Sequence, residues 1–332
     1  MGFHYFNKNK LIMALICVFT AAMVLLPHVT ETGAKTAIII WANSIVPVLL
    51  PFFILSDFIK RAGNLEKLPA RIYPFSMAVL SGYPMGAKIV SDLILERRLS
   101  LSEGKRILSY SLVTGPAFLM GTIGAFVGNS RAAAIITAVH YLGAFLNGIF
   151  YRKDAEKSRK KRGRTREKNR KISGTHVRNV TDAEEKKNGY FDHFTLSIMT
   201  SFKGMAMILA YLILFMIGMN LLEEVGIFGY IQNEGIRSFL KGLLEMTAGS
   251  SMLGACNMPI ALKTVLIAFL VSFGGFSVIG QSVSMAEGSG IGFSDIFQIK
   301  LTHGLLAGIL AAALSAFLLL TMVFLPFQIE SI

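Results

Sequence analysis

Long apolar runs, several of them broken midway by glycine and proline, set the tightest limit on what this chain can fold into. Leu11–Leu26 ends at Pro27, and Ala34–Ile59 carries Asn43, Ser44, Pro47 and Pro51. Tyr73–Glu96 is interrupted by Ser81-Gly82-Tyr83-Pro84, and Leu101–Gly128 by Thr114-Gly115-Pro116. Ala132–Tyr151 is unbroken and carries His140 and Asn147. In the second half Phe191–Phe202 is amphipathic, Lys203–Leu222 is continuous and Ile236–Cys256 is mixed. Ala261–Met285 is interrupted by Gly274-Gly275-Phe276-Ser277, and Ile296–Phe324 closes the series, with Lys300 and His303 near its start. Runs of about 20 apolar residues cross a bilayer as helices. Irregular backbone at membrane depth survives only where it is buried in protein or lines a cavity. The pattern therefore predicts an all-α polytopic membrane protein with a cavity at its broken helices.

Composition excludes the competing classes. Of 332 residues, 53% are apolar and only 16% charged, against about a quarter charged in soluble domains. A soluble enzyme, a disordered chain and a disulfide scaffold are all excluded. Cys17 and Cys256 sit in apolar runs and read as small core hydrophobes. No phosphate loop, nucleophile elbow, dinucleotide fingerprint or metal-ligand spacing occurs, so neither an enzyme nor a cofactor or metal site is expected.

Net charge is +13, and the stretch from Arg152 to Lys187 alone holds 15 Lys/Arg against 6 Asp/Glu. A basic block between apolar segments is a topology signal that stays in the cytoplasm. It suits anionic lipid headgroups better than nucleic acid. The expected division is a first membrane repeat with one extra span over 1–151, a basic and partly disordered linker over 152–190, and a second membrane repeat over 191–332. Lys60, Arg61, Lys67 and Arg71 flank Tyr73–Glu96 on one side, Arg97 and Arg98 on the other. Both ends therefore lie inside, as in a re-entrant hairpin with Ser81–Pro84 near its tip.

The halves match at an offset of 192 residues. Val79 and Gly82 fall on Val271 and Gly274, and Ser102-Glu103 on Ser294-Asp295. This register pairs hairpins at 73–96 and 261–285. Repeat-built transporters place substrate near the midplane where such discontinuous helices meet. The charge count favours parallel copies; inverted copies require one doubtful segment to behave differently, and the choice stays open.

Ser81, Gly82, Tyr83, Pro84, Gly86 and Lys88 carry the most chemistry. Gly82 and Gly86 allow close backbone approach, and Pro84 suits a first helical turn. A half-helix starting there aims free N–H groups at an anion, with Lys88 adding a full charge. The plainer alternative is a kink, with Lys88 paired to Asp92 four residues on. Thr114 and Gly115 precede Pro116, which frees a carbonyl for a polar substrate or a coupling cation, or merely kinks the helix. Glu245 is a carboxylate in a membrane segment, a functional candidate by default, and Thr247 stands beside it. The plainer reading of Glu245 is a charged helix face shared with Arg237 and Lys241 at i, i+4, i+8 spacing. Ser277 and Gln281 in the last interrupted segment are substrate contacts or polar packing residues. His303 admits proton coupling but reads better as a satisfied core histidine.

With Pro47-Val48-Leu49-Leu50-Pro51-Phe52-Phe53, Leu80–Lys88 and Leu244–Gly249 read together, the chain resembles the YlbJ (SpoVV) family of sporulation integral membrane proteins. These belong to the nucleoside-recognition, or Gate-domain, membrane proteins, relatives of concentrative nucleoside transporters. The resemblance covers most of the chain outside 152–190. It implies a role in endospore formation and movement of dipicolinic acid across the mother-cell-derived outer forespore membrane. The expectation is a carrier of a small carboxylate anion, with a proton or cation as possible coupling partner. Lys88 is then the residue on which transport should depend. The rivals are a non-transporting membrane scaffold acting through its basic linker, and a nucleoside or nucleobase carrier. The latter is disfavoured because the first tip lacks Asn, Gln and Glu. Oligomeric state is not legible.

Overall fold

The computed structural model describes residues 8–62, 69–152 and 189–329, so the greater part of the basic linker lies outside the described residues. Helix α1 (Lys8–Leu25) is followed by α2 (Pro27–Ile40), which runs through a π-helical turn into α3 (Val46–Ala62). Then come α4 (Tyr73–Ser81), α5 (Tyr83–Leu95), α6 (Leu101–Ser111), a π-helical turn at Phe118–Ile123, α7 (Gly124–Val127) and α8 (Ser130–Phe150). The second half holds α9 (Tyr190–Glu224), α10 (Glu234–Leu244), α11 (Met246–Ala255), α12 (Ile260–Phe273), α13 (Gly275–Met285) and α14 (Phe293–Ile329). No strand occurs among the described residues. Five helical stretches among them are long and apolar enough to cross a membrane: Pro27–Ile59, Ser130–Phe150, Tyr190–Glu224, Ile260–Met285 and Phe293–Phe317. The chain is an all-α polytopic membrane protein.

Helix starts follow local chemistry. Ser100 and Glu103 form a reciprocal capping box at α6. Asn129 and Asn233 accept from Ala132 and Ile236 at the starts of α8 and α10.

Two helix pairs fold back on themselves. Tyr73, Met77, Ile89 and Leu93 form one apolar cluster across α4 and α5, and a Cβ on Gly86 would approach the Ala78 Cβ to 3.2 Å. The turn is Gly82, at φ 81°, a left-handed region that favours glycine. The other folded-back pair is α10–α11, with Glu245 at its tip. Its helices meet so closely that a Cβ on Gly249 would overlap the Cα of Gly242, and Ser238 lies 3.5 Å from Cys256 Sγ.

The remaining two breaks do not turn the chain. Along α6–α7, Asn147 reaches the Ser109 carbonyl, His140 the Thr114 amide and Thr137 the Met120 sulfur, so the segment continues past its non-helical stretch against an antiparallel α8. Along α12–α13, a Cβ on Gly308 would touch Phe269, and the Phe276 ring stacks on Phe297. That segment also continues past Gly274. The expected hairpin at 261–285 is therefore corrected: glycine breaks the helix there, but the fold-back occurs at 234–255.

Element order also corrects the expected register. An offset of 192 sets the broken α6–α7 against the continuous α14. The observed elements coincide instead at 163, the separation of Gly82 from Glu245 and of Ser130 from Phe293. On that register α8 answers to α14 and is no longer an extra span. The paired long helices run antiparallel. Trp41 and Arg61 hydrogen-bond to Met205 and Thr200 of α9, while Gly33 lies against Ile217. Asn147 bonds to the Ile299 carbonyl and Gly143 abuts Ala307. Asn147 is fully buried and also accepts from the Thr302 hydroxyl, tying α6, α8 and α14 at one point.

Candidate functional site

The four breaks meet around one cavity. The α4–α5 tip contributes Ser81, Gly82 and Tyr83. The α6–α7 break contributes Thr114, the α10–α11 tip Glu245, Met246 and Thr247, and α13 Ser277, Val278 and Gln281. Apolar side chains of α3 and α9, among them Leu49, Phe53, Ile208 and Leu212, close the remaining wall. Both halves of the chain thus supply polar groups to an otherwise apolar chamber. Eight of the twelve residues singled out from the sequence, Ser81, Gly82, Tyr83, Thr114, Glu245, Thr247, Ser277 and Gln281, line it together.

Helix starts dominate its electrostatics. No side chain caps α5 or α13 at Gly82 and Gly274, and the N-terminal end of each helix carries the positive end of its dipole. The start of α11 differs. Glu245 takes an extended conformation, leaves the helical face of Arg237 and Lys241, and accepts the Ala248 N–H at 2.6 Å. Those two basic residues pair with Glu223 instead. The carboxylate is therefore committed to its own helix. Gln281 donates to Ser277 Oγ at 3.4 Å. The Tyr83 hydroxyl is buried without a hydrogen-bond partner.

At the α6–α7 break the freed backbone is engaged. The Thr114 N–H donates to His140 Nε2 at 3.1 Å, and the Tyr141 hydroxyl donates to the Thr114 carbonyl at 2.8 Å. Because His140 Nε2 accepts, Nδ1 carries the proton and donates to Ser272 Oγ at 2.8 Å. His303 bonds through Nε2 to the His140 carbonyl. Both histidines are core residues satisfied by neighbours, as read for His303.

Four of the twelve residues lie elsewhere. Lys88 is half-exposed and pairs with Asp92 at 3.1 Å, because three helical residues beyond Met85 carry it off the tip. It lines a second cavity with Asp57, Thr200 and Ser201. That cavity shares Phe53 and Ser81 with the first. Gly86 is a packing residue, since any side chain there would strike the Ser111 carbonyl of α6. Gly115 sits beneath the Val79 carbonyl, 3.1 Å from where its Cβ would be. Pro84 falls in the first turn of α5. Among the described residues no cluster of three or more metal-ligating side chains occurs.

The buried cation that the sequence reading passed over is Lys300, fully enclosed on α14. Its Nζ donates to the Leu112 carbonyl at 3.2 Å and lies 4.1 Å from the Tyr83 ring centroid. A lysine inside a membrane span is itself the signal that could have found it.

The chain is similar to one curated protein, the sporulation integral membrane protein YlbJ of Bacillus subtilis strain 168. They are 25% identical over 91% of this chain and 81% of that protein. No family model matches the sequence, and no solved structure matches it.

Proposed function

We propose that this chain, placed by that likeness in the YlbJ family of sporulation integral membrane proteins, is a carrier of a small carboxylate anion in endospore formation. The reading goes beyond a membrane role in sporulation, and dipicolinate is the substrate proposed. One observation carries it: two folded-back hairpins and two broken crossings, one of each from either half, converge on a single polar-tipped cavity. Folded-back backbone and exposed helix starts at membrane depth are costly unless the cavity they line is used. Two uncapped helix starts and an unpartnered Tyr83 hydroxyl favour an anion with acceptor oxygens. The antiparallel pairing of α2–α3 with α9, and of α8 with α14, supports an inverted repeat, the architecture in which two gates alternate around one fixed site.

The second cavity supplies an approach to the site. It adjoins the first through Phe53 and Ser81 and carries Lys88 and Asp57. Arg61 near the end of α3, Arg71 just before α4 and Arg97 and Arg98 just after α5 flank the open end of the first hairpin in sequence, which is the cytoplasmic end by the positive-inside rule. Lys88 then draws anions toward the mouth and does not bind them at the centre. The protein catalyses no covalent step in this reading. The localisation that goes with it is the outer forespore membrane.

Uptake of labelled dipicolinate into proteoliposomes containing the purified full chain tests the proposal. Saturable uptake that unlabelled dipicolinate competes away supports it; uptake equal to protein-free vesicles overturns it. Deleting residues 155–187 separates carrier from scaffold. A carrier keeps uptake and spore function, whereas a scaffold working through that stretch loses spore function.

A further inference from the structure

Lys300 is a charge that the carrier reading leaves unused, and its surroundings point to a task. The residue is fully buried. Its stem crosses the α12–α13 break, where a Cβ on Gly274 would lie 3.1 Å from Cε. Its ammonium donates to the Leu112 carbonyl at the α6–α7 break and faces the Tyr83 ring at the α4–α5 tip. One side chain thus touches three of the four helix breaks.

The ammonium is under-satisfied. It has three donors, of which one meets an oxygen, and among the described residues no carboxylate pairs with it. A buried charge without a counter-charge is strongly unfavourable, and a cation–π contact compensates only in part. Tyr83 lines the chamber and presents its ring to the ammonium. Tyr83 is 4% exposed, and its hydroxyl has no partner, so no hydrogen bond holds the ring, which rests on the Lys300 ammonium and edge-on to the His140 imidazole.

Resting on the carrier reading, we propose that Lys300 is the residue that selects anions, and that Tyr83 is its gate. The ring face shields the ammonium. A carboxylate entering the chamber displaces the ring, accepts from the ammonium and offers the freed hydroxyl an acceptor. Exchange of ring for carboxylate changes the contact that links the α4–α5 tip to the other two breaks. Occupancy is thereby felt at three breaks at once, which is the coupling a gated carrier requires. No bond is made or broken; ring and carboxylate trade places on a fixed charge.

The test uses the full chain in detergent and in proteoliposomes, with dipicolinate and its uncharged diamide as probes. Lys300→Met is expected to lower dipicolinate uptake about ten-fold or more, the scale for losing a desolvated charge pair. Its melting temperature should hold or rise, because an apolar residue of similar size replaces a buried charge. Lys300→Arg should keep uptake, and dipicolinate should raise the melting temperature of wild type and Lys300→Arg but not of Lys300→Met. The diamide should compete better against Lys300→Met than against wild type. If folded Lys300→Met transports dipicolinate within about two-fold of wild type, the inference fails while the carrier reading stands. Folded Lys300→Arg that loses uptake as fully as Lys300→Met also overturns it, since a structural tie would then explain both. Absence of uptake by wild type would instead bring down the carrier reading itself.

Discussion

Replacing Glu245 separates its two possible tasks, because alanine and glutamine remove different things. The carboxylate is 3% exposed and accepts the Ala248 N–H at 2.6 Å in the first turn of α11. Alanine leaves that donor buried and unpaired, at a cost of about 1–3 kcal/mol, in line with the ~1–2 kcal/mol lost when an N-cap acceptor is removed. Glutamine keeps an acceptor oxygen at the same reach. It gives up a charge–dipole attraction of roughly 0.5–1 kcal/mol and is relieved of a buried charge, so the two changes nearly cancel. Glu245→Ala should therefore unfold about 2 kcal/mol sooner than wild type, and Glu245→Gln within ~1 kcal/mol of it. Denaturant titration in detergent micelles, followed by the fluorescence of Trp41, reads the difference. Trp41 is the single tryptophan of the chain, and its indole donates to the Met205 carbonyl at the α2–α9 contact. Dipicolinate uptake should survive in Glu245→Gln at half the wild-type rate or more. A glutamine variant as unstable as alanine, or one that folds but carries nothing, would refute the capping argument and return Glu245 to the role of a charged coupling site.

Asn147→Ala removes three hydrogen bonds joining α6, α8 and α14. At ~0.6 kcal/mol each within a membrane, it should cost about 2 kcal/mol in the same titration, and an unchanged midpoint would contradict the tie. Gly249→Leu forces a side chain into Gly242, so the α10–α11 hairpin must open. We expect a loss of about 1–3 kcal/mol, the scale for overpacking, together with loss of dipicolinate binding by calorimetry; normal binding would show that the close approach is dispensable. Lys88→Ala removes a half-exposed charge from the approach cavity. KM for uptake should rise a few-fold at low salt and much less at high salt, with kcat unchanged, as screening dictates; complete loss of uptake would place Lys88 at the central site after all.

Membrane class, helix count to a first approximation and the polar half of the cavity lining were legible from the residues, because the causes are local. Twenty apolar residues have one stable state in lipid. Gly82 and Gly274 mark breaks through their backbone freedom, as Pro116 does through its missing N–H. Three such marks pointed to residues that do share one chamber. The fourth break, at Glu245, has neither glycine nor proline at its tip. It forms because Gly242 and Gly249 let two helices touch, a contact between residues that no local rule pairs. For that reason the second hairpin was expected at 261–285, and the register at 192 in place of 163.

Which charge lies at the centre was likewise decided by tertiary structure. Lys88 and Lys300 look alike in a hydropathy profile. One more turn of α5 carries Lys88 out to Asp92, while the antiparallel packing of α14 on α8 drives Lys300 inward against Leu112 and Tyr83. Solvent choice and the breaks at glycine or proline are properties of short stretches, so the sequence alone determined them. Fold-back depends on two short neighbouring helices touching through glycines that no local rule pairs, and the pairing of the long helices and the burial of a given lysine depend on helices more than a hundred residues apart meeting at close range; only the assembled fold decided those.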